Sequence, residues 1–209
     1  MGSDEDDEGD FHILTGRLAL RAPHQADAES LVAIANDRGI AVNLASMPHP
    51  YGLKDARAWI AKVTTDRADA RAFLITPRGN DVPIGACGIG PTGRNDGKQI
   101  GYWIARHAWG HGFATEAARA LVDHAFARFA LPHLWCSCRV TNEASRRVIE
   151  KCGFEYHDSG LLNVRALGGT APVDHYCLDR ATWETRRRLD SGADGCPNRG
   201  DEGGRHASH

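Results

Sequence analysis

Apolar residues along the chain change their spacing repeatedly, and each change predicts an element. Positions from Ile13 to Arg21 alternate between apolar and polar, the period of a strand. Leu31, Val32, Ile34 and Ala35 repeat at helical spacing within Ala26 to Asp37, and Ala56, Trp59, Ile60 and Val63 mark a second helix after Tyr51-Gly52. Arg71 to Thr76 and Val82 to Ile89 are two strands around the turn-rich Pro77-Arg78-Gly79-Asn80-Asp81, which predicts a hairpin. Ile100, Tyr102 and Ile104 alternate with Gly101, Trp103 and Ala105 in a strand over Lys98 to Ala105. Ala114, Ala117, Ala118, Leu121, Val122 and Ala125 then form one face of a long helix, which Pro132 stops near Ala130. Leu134 to Cys138 fits a buried strand, Asn142 to Gly153 a capped helix, and Phe154 to Val164 and Val173 to Leu178 two more strands around Gly168-Gly169. The sum is a mixed α/β sheet.

Composition narrows what such a sheet can be. With 209 residues, 42% of them hydrophobic, the chain can bury a full core, and no apolar run is long enough to span a membrane. Residues 1–10 are mostly acidic or small with no apolar h-region, so they predict a disordered tail and not a signal peptide; residues 189–209 predict another, leaving one domain over 11–188. A formal net charge of -2 argues against nucleic acid as a partner, and Arg186-Arg187-Arg188 fits the solvated end of a helix. The six cysteines include no C-x-x-C pair, and Cys87, Cys136, Cys138, Cys152 and Cys177 sit at apolar-patterned positions, which points to reduced thiols in a cytoplasmic protein. The eleven histidines contain no H-E-x-x-H, so no metal is expected.

Candidate chemistry begins where the strand over 98–105 runs through His107-Ala108-Trp109-Gly110-His111-Gly112-Phe113-Ala114 into the long helix. Gly110 and Gly112 remove side chains that would hold a ligand off the backbone, and the unpaired N–H groups and dipole of the helix start favour an anion. A pyrophosphate suits that turn. No G-x-G-x-x-G spans these glycines, and no Gly-Lys-Ser/Thr follows them, so neither the dinucleotide fingerprint nor the P-loop accounts for the turn.

The segment resembles the coenzyme A pyrophosphate loop of the GNAT N-acetyltransferases, Gln/Arg-x-x-Gly-x-Gly/Ala, with His107 in the Gln/Arg place. Gly112-Phe113-Ala114-Thr115-Glu116-Ala117 is similar to the ribosomal-protein-alanine acetyltransferase (RimJ/RimL-like) branch. So is Thr15-Gly16-Arg17-Leu18-Ala19-Leu20-Arg21, which matches that branch's Thr-x-Arg-Leu-x-Leu-Arg opening. A third match is Asn142-Glu143-Ala144-Ser145 followed by Cys152-Gly153-Phe154, which in the family lies beside the pantetheine and the thioester sulfur. The resemblance spans about Leu14 to Glu184. It implies a single GNAT-type domain whose mixed, mostly antiparallel twisted sheet has six to seven strands and about four flanking helices. It also implies acetyl-CoA as cosubstrate, bound by Ile104, His107, Trp109, Gly110, His111, Gly112, Phe113, Ala114, Asn142 and Ser145.

Acetyl transfer to an amine needs a base for the ammonium, an N–H donor for the oxyanion and a partner for the leaving sulfur. Many family members place a tyrosine where Ile149 stands and a glutamate where Gln99 stands, and neither residue here can do that work. Ser145 is the remaining candidate for the sulfur. His49, on the Met47-Pro48-His49-Pro50-Tyr51 loop that borders the acceptor cleft in the family, is the candidate base. His175 and a water chain are its competitors. Glu116, in the first turn of the long helix, complements the helix dipole instead. The resemblance implies a primary amine as acceptor, either a protein N-terminus or a small molecule, and Asp96, Asp158 and Asp174 are the acidic residues near the cleft loops. The departures at 99 and 149 leave room for two other classes, a non-catalytic acyl-CoA sensor and a structural adaptor. A homodimer through a shared edge strand is compatible with the pattern.

Overall fold

A computed structural model describes residues 12–65, 71–92 and 97–192. Among these residues eight strands form one sheet in the order β1-β2-β3-β4-β5-β6-β8-β7. They are β1 (His12–Leu14), β2 (Leu18–Arg21), β3 (Arg71–Pro77), β4 (Gly85–Pro91), β5 (Lys98–Ile104), β6 (His133–Arg139), β7 (Glu155–Val164) and β8 (Gly169–Asp179). The helices are α1 (Ala28–Ala35), the single turn α2 (Arg38–Ala41), α3 (Leu53–Thr65), α4 (Phe113–Arg128), α5 (Glu143–Lys151) and α6 (Arg180–Gly192). The acidic segment 1–10, Asp96 and residues 193–209 lie outside the described residues.

Two counts exceed expectation for identifiable reasons. The single strand expected over Ile13–Arg21 is a hairpin of β1 and β2, with Ile13 opposite Leu20. The chain turns at Thr15-Gly16-Arg17, where the Thr15 N–H donates to the Leu18 carbonyl at 2.9 Å. An alternating pattern continues through such a short turn, so periodicity alone does not show the reversal. The added helices are α2, too short for a periodic stripe, and α6, which runs past residue 188. Asp37 caps α2 by accepting the Gly39 N–H at 2.7 Å. Asp179 starts α6, accepting from the Thr182 N–H at 2.7 Å.

Helices cover the two faces unevenly. On one face α4, α5 and α6 bury Leu121, Phe126, Ile149 and Trp183 against Leu20, Ile100, Cys136 and Leu178. On the other, α1 and α3 pack Leu31, Ala56 and Ile60 against Leu74 and Ala86 of β3 and β4. All recorded strand pairings are antiparallel except β5 with β6, which are parallel and pair only at Lys98–Leu134, Gln99–Trp135 and Ile100–Cys136. Beyond Ile100 and Cys136 the two strands run on without pairing, so the sheet splays into a wedge at its centre.

Candidate active site

The wedge places two dissimilar surfaces back to back. On the side of α4, β5 ends at Ile104 and the chain crosses a 3-10 turn (Arg106–Ala108) into the glycine turn. Gly110 and Gly112 both adopt φ of 79°, the left-handed region that glycine enters without strain. A side chain at Gly110 would meet no atom within 4 Å, so the turn faces open space. The α4 ladder begins with the Glu116 N–H on the Gly112 carbonyl at 3.1 Å. The N–H groups of Phe113, Ala114 and Thr115 therefore have no partner inside the helix and are available to an anion.

Neighbouring side chains fix this turn. The Trp109 indole N–H donates to the Ile104 carbonyl at 2.6 Å, and His111 Nδ1 lies 2.8 Å from the Trp109 carbonyl with its ring stacked on Phe113. His107 is exposed on the 3-10 turn. Arg17 donates to the His111 carbonyl at 3.0 Å and to Glu116 at 2.7 Å. Glu116 also accepts from the Thr15 hydroxyl at 2.6 Å and the Arg17 N–H at 2.8 Å. Burial opposes its charge, but these hydrogen bonds outweigh burial and hold the carboxyl below its ordinary value. Glu116 thus staples the β1–β2 turn to the start of α4, and the Thr-x-Arg and Ala-Thr-Glu segments of the sequence meet in one contact.

Arg106 ties the same turn to α2. Its guanidinium stacks over Trp109 at 4.8 Å and donates to both oxygens of Asp37, at 2.6 and 2.8 Å. These bonds from Arg106, helped by the Gly39 N–H and opposed by slight desolvation, lower the Asp37 carboxyl from 3.8 to about 2. A lowered folded-state value gives a contribution that is complete above the ordinary carboxylate range and is lost as pH falls toward 2. Asp37→Asn should therefore cost up to about 1 kcal/mol at pH 6, an exposed pair's worth, and progressively less as pH falls to 2. Urea unfolding midpoints of both proteins across that range check this.

On the same side of the wedge, α5 brings in the second motif. The Asn142 side chain accepts the Ser145 N–H at 3.1 Å, the expected cap, and Gly153 closes the helix with φ of 94°. Ile149 is buried in the core. One contact was not anticipated. The Tyr102 hydroxyl lies 3.1 Å from the Ser145 hydroxyl and donates to the Ser145 carbonyl at 3.3 Å, spanning from β5 to α5. Burial, the largest influence, pushes the Tyr102 phenol far above its ordinary range, so it stays a neutral donor. The Gly101-Tyr102-Trp103 alternation places Tyr102 on this face, but only the fold shows that α5 returns to meet it.

On the opposite side, the wedge opens into a cleft of roughly 990 Å³ bounded by Tyr51, Trp59, Trp103 and Trp135. Met47, Pro48 and Tyr51 line it, whereas His49 is exposed and is not among the lining residues. Gln99 lines the cleft and donates to the Pro91 carbonyl at 3.4 Å. Ser137 and His175 also line it, with Ser137 Oγ 2.7 Å from His175 Nδ1. Asp174 points to the other face, where it accepts from Arg146 at 3.0 Å and Ser159 at 2.8 Å. The described residues contain no group of three or more His, Cys, Asp or Glu able to share a metal ion. Among them no helix is long and apolar enough to cross a membrane. Burial pushes the Cys138 and Cys152 thiols up to about 11, which keeps them neutral near pH 7.

Known proteins share this architecture. Residues 17–155 match the acetyltransferase (GNAT) domain. YkkB of Bacillus subtilis is 30% identical over 152 residues, covering 69% of this chain and 85% of YkkB. The N-acetyltransferase p20 of Bacillus licheniformis is 28% identical over 153 residues, covering 72% of this chain and 84% of p20. Among solved structures, the RimL ribosomal L7/L12 alpha-N-protein acetyltransferase in complex with coenzyme A superposes with a TM-score of 0.69 at 21% identity, over 81% of this chain and 98% of RimL. The glycine turn, the splayed parallel pair and the family match agree: the chain belongs to the GNAT acetyltransferases and is an enzyme of that family.

Proposed function

We propose that the protein transfers the acetyl group of acetyl-CoA to a primary amine by direct attack of the amine on the thioester. The observation that carries this reading is the wedge itself, which joins an anion-binding turn on one face to an aromatic cleft on the other. Acetyl-CoA supplies an activated acyl group. The residues that fit its pyrophosphate are Gly110 to Ala114, and beside Gly112 a shallow depression carrying Arg119, Lys151 and Arg187 continues the basic surface outward. Ile104, His107 and Trp109 shape the approach, and Asn142 and Ser145 stand where the pantetheine would pass. The alpha-N-protein activity of RimL supports a protein N-terminus as acceptor. The three tryptophans of the cleft equally suit a small amine with an apolar or aromatic body. Charged lining residues, Lys62, Arg71 and Arg165 against Asp55, disfavour a polycation.

Calorimetric titration with acetyl-CoA, followed by a screen of a tetrapeptide with a free N-terminal serine, phenethylamine and spermidine, tests the proposal. Micromolar binding with an acetylated product detected by mass is expected. Binding with no product from any of the three would return the chain to the non-catalytic sensor. At the sulfur, Ser145 is the partner and Tyr102 orients it. Ser145→Ala should lower kcat about tenfold, one hydrogen bond's worth, with a smaller loss of acetyl-CoA affinity. Tyr102→Phe should show a smaller loss in the same parameter, measured by thiol release at saturating amine.

A further inference from the structure

Three strands place three functional side chains in one row on the cleft face. Ser137 of β6 stands opposite His175 of β8, and His175 stands opposite Asp158 of β7. Opposed residues of an antiparallel ladder share a face, so the row runs from the centre of the sheet toward its edge. The first link is a hydrogen bond, with Ser137 Oγ and His175 Nδ1 2.7 Å apart. The register supplies the rest. A bulge between Tyr156 and Asp158 resets β7 so that Asp158 pairs in register with His175, while the His157 ring packs edge-on against Trp135. Gly160 makes space for the ring, because a Cβ there would stand 3.0 Å from His175 Nε2.

The position of the row matters as much as its composition. Cys136 is the last residue of β6 paired with β5, so Ser137 is the first residue past the point where the sheet opens. Ser137 and His175 line the cleft together with Trp103, Trp135 and Tyr102, and the Tyr102 hydroxyl reaches Ser145 of α5. An amine held in the cleft therefore has Ser137 in the wall of the same space that Tyr102 borders. Gln99, two residues before Gly101, offers no basic atom for the amine's proton.

We propose that Ser137, His175 and Asp158 form the relay that removes the proton from the acceptor ammonium. The proposal rests on the reading of the protein as an amine acetyltransferase. Ser137 Oγ accepts the ammonium proton as its own hydroxyl proton passes to Nδ1 of neutral His175, and Asp158 faces the imidazolium that results. The freed lone pair forms the C–N bond at the thioester carbonyl and the C–S bond breaks. The second amine proton ends on the sulfur by way of Ser145, and His175 returns its proton to solvent. The groups around His175 are Ser137, with Trp135 and Arg139 flanking it on β6, and Asp158, Gly160 and His157, whose ring packs edge-on against Trp135, on β7; Arg165 lines the same cleft.

Two measurements on the full chain decide the matter. His175→Gln and Ser137→Ala are assayed with whichever of the tetrapeptide, phenethylamine and spermidine is turned over fastest. His175→Gln should keep acetyl-CoA affinity within about twofold of wild type while kcat at pH 7 falls about a hundredfold, the lost rate returning as pH rises and free amine accumulates. Ser137→Ala should show the same pattern with a smaller loss. A kcat within about threefold of wild type for His175→Gln, with an unshifted pH profile, overturns the relay. Independently of turnover, a long-range 15N–1H correlation of the imidazoles reads the His175 tautomer. A bare Nδ1, altered in Ser137→Ala, is expected; a protonated Nδ1 in the free enzyme overturns the proposal, because Ser137 would then be the acceptor. The tautomer stands whether or not an acceptor is found, so failure of the relay and failure of acetyl transfer give different results.

Discussion

Placing carboxylates in the glycine turn, Gly110→Asp with Gly112→Asp, should weaken acetyl-CoA binding at least about a hundredfold, roughly 2.7 kcal/mol, with the fold intact by circular dichroism. Two effects add. A carboxylate about 4 Å from a phosphate at the protein surface repels it by about 4 kcal/mol before screening. Both positions also sit at φ of 79°, where an L-residue costs about 1–2 kcal/mol. The two sites are not equivalent. A side chain at Gly112 would lie 3.5 Å from the Arg17 guanidinium, which partly neutralises an aspartate there, whereas Gly110 opens on empty space. Position 110 should therefore carry most of the loss. Gly110→Asn with Gly112→Asn, similar in shape and tolerant of left-handed backbone, separates charge from bulk and should lose about tenfold or less. Wild-type affinity in the aspartate pair would mean that no anion occupies the turn.

Periodicity served well wherever an element was long and packed on one side. The alternation through Ile100, Tyr102 and Ile104 and the α4 stripe led straight to the glycine turn, because β5 and α4 are bounded by residues with a single local preference, the glycines at one end and Pro132 at the other. The β1–β2 hairpin escaped because its strands share an alternation and its turn is stabilised at long range, by Glu116, ninety-nine residues from Arg17. The candidate chemistry divides the same way. Asn142 and the glycines carry local signals, a cap and a left-handed turn, and were legible. Tyr102 meeting Ser145, and Ser137 meeting His175, are pairs forty-three and thirty-eight residues apart, set by strand order and register. Nothing in either residue's neighbourhood announces its partner. His49 illustrates the converse: it sits on the right loop, yet its side chain faces solvent while Met47, Pro48 and Tyr51 turn to the cleft.

The largest loss of stability is expected at Arg21, which the sequence marked only as the last letter of an opening motif. It is 4% exposed at the end of β2, and all five of its N–H groups have acceptors. Two carboxylate oxygens of Asp27 take bonds at 2.7 and 2.9 Å, and the Ala22 and Asp81 carbonyls and the Asp81 carboxylate take the others. Burial works against the Asp27 charge, but Arg21 and the His24 N–H outweigh it and keep the carboxyl below its ordinary range. Arg21→Met leaves that carboxylate buried without its cation and should cost about 3–5 kcal/mol. At about 2–4 °C per kcal/mol for a domain of this size, the melting temperature should drop by roughly 6–20 °C. Adding Asp27→Leu removes the stranded charge and should recover most of the loss, since Asp81, its side chain 81% exposed, needs no partner. A double variant as unstable as Arg21→Met would show that the hydrogen bonds to Ala22 and Asp81 matter more than the ion pair. The consequence reaches the site. Asp27 immediately precedes α1, which with α3 walls the aromatic cleft, so loosening this clamp should raise KM for the amine while acetyl-CoA affinity, which we propose is set on the far side of the sheet at Gly110 to Ala114, should stay as it is.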